Sequence, residues 1–208
     1  MLYLTTVEPQ TISILTRLQA LPGLEDFYLV GGTALSLKFG HLISVDLDIF
    51  GHNRFDKETI INVLEKEFGN DFVYAGNPVS WAVFCYIQNI KVDIVFYQHP
   101  TIAETVTLGN IKMYSNEDII AMKLNAILGR GNKKDFWDIY ELLNHYSLSQ
   151  MIDFYYKKYP KQMLLISIPE ALTWFIDAEE SPDPVSLKSQ TWEQVKKGIQ
   201  EKVRDYLQ

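Results

Sequence analysis

The sequence predicts an α+β protein, with a mixed sheet in a core over residues 1–112 and a bundle of helices over residues 113–208. Three observations carry this reading. Short β-rich runs at Phe27 to Val30, Val45 to Phe50, Trp81 to Ile87 and Lys91 to Tyr97 alternate with helical patterns in the first half. From about residue 115 onward the apolar period is helical and stays so. The chain also contains no internal repeat or low-complexity segment that would suggest a solenoid or a linker.

Size and charge narrow the function classes. A chain of 208 residues with 47% hydrophobic residues can bury a sizeable core. The apolar run Trp81 to Ile87 is far shorter than the roughly 20 residues a membrane span needs, and no basic stretch followed by an apolar segment opens the chain. The expectation is a soluble, unexported, cytoplasmic protein with no membrane partner. The lone Cys85 cannot form an internal disulfide and lies in an apolar run. A net charge of −7 argues against a surface coated in basic charge, so any nucleic-acid contact must use a local patch such as Lys123, Arg130, Lys133 and Lys134.

The elements follow in order. Residues 8 to about 20 carry Ile12, Leu15 and Leu18 near helical spacing, and Pro22-Gly23 ends them. After the strand at Phe27 to Val30, a brief helix over Thr33 to Phe39 leaves the Gly31-Gly32 turn and stops at Gly40. In the strand Val45 to Phe50, Val45, Leu47 and Ile49 share one face, which puts Asp46 and Asp48 together on the other, about 7 Å apart. Asp56 caps a helix through Phe68, which Gly69 ends. Phe72 to Ala75, Trp81 to Ile87 and Lys91 to Tyr97 read as strands, the last two joined by a turn at Gln88-Asn89. Asp93, inside Val92-Asp93-Ile94-Val95-Phe96, would be costly to desolvate without a metal ion or a positive charge beside it.

The second half reads as helices over Asn116 to Leu128, with Asn116 as cap, and over Lys133 to His145, Ser149 to Tyr159, Lys161 to Ser167 and Pro169 to Ala178. A last helix runs from Thr191, whose capping box pairs it with Gln194, to about Leu207. Lys123 is unusual: Ile119, Ile120, Ala126 and Ile127 surround it at helical spacing, so its stem lies on the core-facing stripe.

Each motif taken alone has two readings. Gly31-Gly32 is either a tight turn or a phosphate cradle at a helix N-terminus, with Thr33 adding a hydroxyl. Asp46 and Asp48 are either a solvated strand face or a metal site, and Asp93 on a second strand favours the metal site. Asp138 is either functional or the partner of Lys134 one helical turn away. His41, His52, His99 and His145 lie in turns or at element ends without metal-ligand spacing and read as surface residues.

Taken together, Gly31-Gly32-Thr33-Ala34-Leu35, Asp46-Leu47-Asp48-Ile49-Phe50, Asp93, Lys123-Leu124, Arg130 and Lys134-Asp135-Phe136-Trp137-Asp138-Ile139-Tyr140 resemble the nucleotidyltransferases of the AbiEii/AbiGii toxin group. The resemblance spans residues 27 to 143 in motif terms and extends more loosely to the end of the chain through Asp177-Ala178-Glu179 and the proline-containing loop. It implies a polymerase-β-like nucleotidyltransferase core followed by a C-terminal helical bundle. It further implies transfer of a nucleotide from a nucleoside triphosphate to an acceptor hydroxyl, with the tRNA 3′ end as the acceptor and a cognate antitoxin protein as partner.

By the same resemblance, Asp46, Asp48 and Asp93 bind two magnesium ions, and Asp93 helps to activate the acceptor. Gly31, Gly32 and Thr33 hold phosphates. Lys123 neutralises the triphosphate or the leaving pyrophosphate. Arg130 and Lys134 contact phosphate or RNA, and Asp135 and Asp138 orient the lysine or the base. Two alternatives stand beside this reading: a transferase acting on a small molecule or a protein hydroxyl, and a non-catalytic nucleotide-binding member.

Overall fold

The computed structural model describes residues 1–208. Seven strands form one sheet: β1 Phe27–Leu29, β2 Leu47–Gly51, β3 Phe72–Val73, β4 Ala82–Ile87, β5 Ile90–Phe96, β6 Val106–Leu108 and β7 Ile111–Met113. Their spatial order is β3-β4-β5-β2-β1-β7-β6, with β2 parallel to β5, β1 parallel to β7, and the other pairs antiparallel. The sheet is therefore mixed, as the sequence predicts. Helix α1 Pro9–Leu18 precedes the sheet, and α2 Gly31–Phe39 and α3 Lys57–Phe68 lie between its strands. The rest are α4 Asn116–Gly129, α5 Lys133–Leu142, α6 Leu148–Lys158, α7 Ile168–Thr173, α8 Ile176–Glu179 and α9 Trp192–Leu207.

Local chemistry explains most boundaries. Gly40 ends α2 in the left-handed conformation, and Asp56 accepts from Thr59 N–H to start α3. Thr191 and Gln194 cap α9 reciprocally. Gln88 and Asn89 both have positive φ, which suits the two-residue hairpin joining β4 to β5. One hydrophobic cluster runs from Val7 through the sheet and the helices to Val203, with Leu29, Ile49, Ile94, Leu124 and Ile139 fully buried. No helix is long and apolar enough to cross a membrane.

Several elements depart from the sequence reading. The β6-β7 hairpin goes unread because three-residue strands are too short to display alternation. The cap of α4 is Ser115, not Asn116: Ser115 accepts from Asp118 N–H, while Asn116 is already helical. No helix forms over Lys161 to Ser167, where Met163 and Leu165 stand fully exposed with nothing to pack against. The helix read over Pro169 to Ala178 breaks at Trp174-Phe175 into α7 and α8. Val45 is exposed and precedes β2, because the backbone of residues 44–46 is tied to Thr6 and Thr33 instead of to β5.

Candidate active site

The site forms where α2 leaves the sheet. Gly31 opens α2 with φ +70°, and a Cβ at this position would lie 2.7 Å from Asp48 Oδ2. Only glycine satisfies both constraints. The turn therefore presses against the carboxylate of Asp48 on β2, and the unpaired first-turn amides of α2 open beside it. The buried Thr33 hydroxyl donates to the Asp46 carbonyl and lies 2.7 Å from Ser44 Oγ, so it fastens the approach to β2 onto the helix.

Asp48 and Asp93 stand directly opposite each other on the parallel pair β2 and β5. Burial raises the Asp48 pKa, Asp93 and Asp46 raise it further, and Lys91 and Lys123 oppose the shift. Asp93 accepts a 2.5 Å ion pair from Lys91 through Oδ2, whereas its buried Oδ1 has no hydrogen-bond partner. The positive charge that the sequence demands beside Asp93 is thus supplied in part by Lys91. Asp46 is more exposed, with Lys134 Nζ 3.7 Å away.

Behind the glycine turn lies a buried charge network. Lys123 Nζ contacts Asp135 Oδ1 at 2.8 Å and Asp138 Oδ2 at 2.6 Å. Burial alone would lower the lysine pKa, but Asp138 and Asp135 outweigh it and raise the value. Asp138 in turn meets His41 Nε2 at 2.7 Å through Oδ1. Burial would raise its pKa, yet Lys123 and His41 hold it low. His41 is 1% exposed, so the surface reading of this residue is corrected, and the surface pairing of Asp138 with Lys134 gives way to these buried partners. Asp135 also accepts from Asn132 N–H in the capping box of α5.

A cavity of about 400 Å³ gathers Gly32, Thr33, Asp46, Asp48, Lys123, Arg130, Lys134, Asp135 and Asp138. Its far wall is the 181–184 loop, held in place because Leu187 N–H and Ile43 N–H exchange bonds with the His41 and Val185 carbonyls. The lining carries five carboxylates (Asp46, Asp48, Asp135, Asp138 and Asp183) against three cations (Lys123, Arg130 and Lys134). Asp93 lines a different cavity. Ser44 escapes the sequence reading and His41 is read there only as a surface residue, although both lie within five residues of Asp46; alternation along the strand does place Lys91 on the face of Asp93.

A metal ion is part of the expectation, and the side chains bear on it in two ways. No three Asp, Glu, His or Cys side chains are gathered to enclose an ion in this arrangement. The chemistry of the donors nevertheless fits a divalent cation: Asp48 is held toward its protonated form, Asp93 keeps a buried oxygen without a partner, and the cavity carries excess negative charge that a triphosphate would worsen.

Residues 13–207 match the family model described as nucleotidyl transferase AbiEii toxin, type IV TA system. The chain belongs to the AbiEii nucleotidyltransferase family. It is accordingly a nucleotidyltransferase that uses a nucleoside triphosphate, and the family implies an antitoxin partner. An uncharacterized protein of Aquifex aeolicus is 29% identical over 189 residues, 88% of this chain and 89% of its own. Two solved structures share the fold. One is a Helicobacter pylori protein put forward as a nucleotidyltransferase (TM-score 0.58, 18% identity, 97% of this chain and 99% of that one). The other is the nucleotidyltransferase toxin MenT4 of Mycobacterium tuberculosis (TM-score 0.57, 14% identity, 92% of this chain and 80% of that one). The AbiEii architecture thus joins the mixed sheet to the C-terminal helices that supply Lys123, Asp135 and Asp138.

Proposed function

We propose that the protein transfers a nucleoside monophosphate from a triphosphate to a hydroxyl at the 3′ end of an RNA, with tRNA as the leading candidate, in a reaction that requires divalent metal. One observation carries the reading: Asp48 and Asp93 face each other across parallel strands beside Asp46, with the Gly31 turn closed against Asp48. This supplies carboxylates and helix-terminal amides to opposite ends of one triphosphate. Residues 1–112 would hold the reacting groups, and residues 113–208 the cations that face them.

Asp46, Asp48 and Asp93 would hold magnesium ions, which when bound supply positive charge at the reacting phosphate and lower the pKa of the attacking hydroxyl. The amides of Gly32 and Thr33 bind terminal phosphate oxygens. Lys123 lies just behind this turn, its Nζ 3.9 Å from where a Gly32 Cβ would sit, and contributes charge while Asp135 and Asp138 fix its position. Arg130 and Lys134, both on the cavity lining, offset the charge of the leaving group. The acceptor oxygen bonds to the α-phosphorus and its proton passes to the Asp93 carboxylate. The bond from the α-phosphorus to the bridging oxygen breaks, and pyrophosphate leaves with that electron pair.

A metabolite or protein hydroxyl is the second reading, favoured by the net negative lining of the cavity. Incubation with labelled triphosphates, magnesium and total tRNA separates the two, with Asp46→Ala and a chelator as controls. Labelled RNA that disappears in both controls supports the proposal. Equal labelling by wild type and Asp46→Ala contradicts the metal site, and active protein that labels no RNA contradicts the acceptor.

A further inference from the structure

The two facing carboxylates open into different spaces. Asp48 lines the cavity described above, whereas Asp93 lines a second one of about 530 Å³. The chemistry of this second cavity is unlike that of the first. Its lining includes Trp81 and Phe84, which are 47% and 39% exposed and meet edge to face with ring centroids 6.2 Å apart. Phe84 pairs directly with Asp93 across β4 and β5, so the exposed ring and the carboxylate are neighbours on one face of the sheet. At the rim, the Arg54 guanidinium lies over the Phe96 ring, 5.1 Å from its centroid.

Large aromatic side chains are usually drawn into the core, and here the core already holds Phe27, Phe68 and Phe136. Two left uncovered beside a reacting carboxylate, with a guanidinium at the edge, match the requirements of an unpaired nucleotide: ring faces for the base and a planar cation for the phosphate. A folded protein partner would bring a broad apolar surface, but this lining sets Asp93 and Arg54 among its aromatic rings.

We infer that this second cavity is the acceptor subsite: Trp81 and Phe84 stack the terminal bases of a single-stranded RNA 3′ end, Arg54 holds a backbone phosphate, and the terminal hydroxyl points at Asp93. The inference rests on the RNA reading above. It divides the labour around the Asp48–Asp93 pair, with the triphosphate entering from the glycine turn and the acceptor from the aromatic side. With a single guanidinium at its rim, the cavity recognises the last one or two nucleotides and not a long duplex.

The test uses a short RNA with 2-aminopurine at its 3′ terminus, whose fluorescence is quenched by stacking, together with the full chain. Both aromatic side chains are exposed, so Trp81→Ala and Phe84→Ala should fold normally, and circular dichroism checks this. The expected result is quenching by wild type, a loss of RNA affinity of about 5- to 150-fold in each variant, and triphosphate affinity unchanged. Quenching that persists undiminished in both folded variants overturns the inference. So does a wild-type protein that labels RNA in the transfer assay yet gives no quenching, an outcome that leaves the RNA reading standing. Absence of both labelling and quenching overturns the RNA reading and the subsite together.

Discussion

Asp48 and Asp93 are direct cross-strand neighbours on β2 and β5, yet they line separate cavities. Two carboxylates so close raise one another's cost of ionisation, and the raised Asp48 pKa, driven first by burial and then by Asp93, expresses that cost. The fold tolerates an unfavourable charge at this place, and in the proposed mechanism a bound divalent cation would offset it.

Replacing Asp48 with asparagine therefore separates function from stability. Asp48→Asn abolishes nucleotide transfer, and the melting temperature rises by roughly 2–4 °C for each kcal/mol of repulsion relieved. Calorimetry without metal, set beside a transfer assay, measures both. A variant that loses activity and also melts at lower temperature contradicts the account of Asp48.

Lys123 behaves in the opposite way, since it neutralises two buried carboxylates. Lys123→Met leaves Asp135 and Asp138 buried without their cation, which costs about 3–5 kcal/mol and lowers the melting temperature by roughly 6–20 °C. The triple variant Lys123→Met, Asp135→Asn, Asp138→Asn recovers part of this loss, as thermal unfolding of the two proteins would show.

Gly31 and Gly32 differ despite being adjacent. Gly31→Ala places a Cβ against Asp48 and imposes a left-handed backbone on alanine, at a cost of about 1–3 kcal/mol together with loss of transfer activity. A Cβ at Gly32 makes only ordinary contacts, the nearest 3.7 Å from Asp138 Oδ2, so Gly32→Ala folds with smaller loss of stability. Denaturant titration of the two variants gives the comparison.

Glu141 sets an acid limb. Burial raises its pKa, but Lys188 at 2.6 Å and His145 at 3.1 Å outweigh this and hold it below its ordinary 4.5. A carboxylate with a depressed folded pKa contributes stability that is full above pH 4.5 and is lost as the pH falls through the lower folded value. Glu141→Gln flattens stability against pH in that acid range, and urea unfolding at a series of pH values reads the slope.

Legibility in the sequence follows from range. Alternation exposes Asp46 and Asp48 because their spacing reports the strand face directly, and Gly31 is readable because a turn constrains one backbone position. Lys123 is identifiable as a cation on an apolar stripe, but its partners Asp135 and Asp138 lie on a different helix, and helical periodicity says nothing of which helices touch. The His41 contact spans 97 residues and joins the segment after α2 to α5, so its partner cannot be read from local pattern. The separation of Asp93 into its own cavity is likewise a tertiary fact, since sequence assigns it a strand face and the need for a cation but not the space it opens into.

The central claim is that the Asp48–Asp93 pair supports transfer of a nucleoside monophosphate. It is tested most directly by giving wild type and Asp48→Asn an RNA acceptor, magnesium and triphosphates labelled separately at the α- and γ-phosphates. The account predicts that wild type incorporates the α label into RNA and never the γ label, and that Asp48→Asn incorporates neither. Transfer of the γ label, or equal α incorporation by the two proteins, would contradict it.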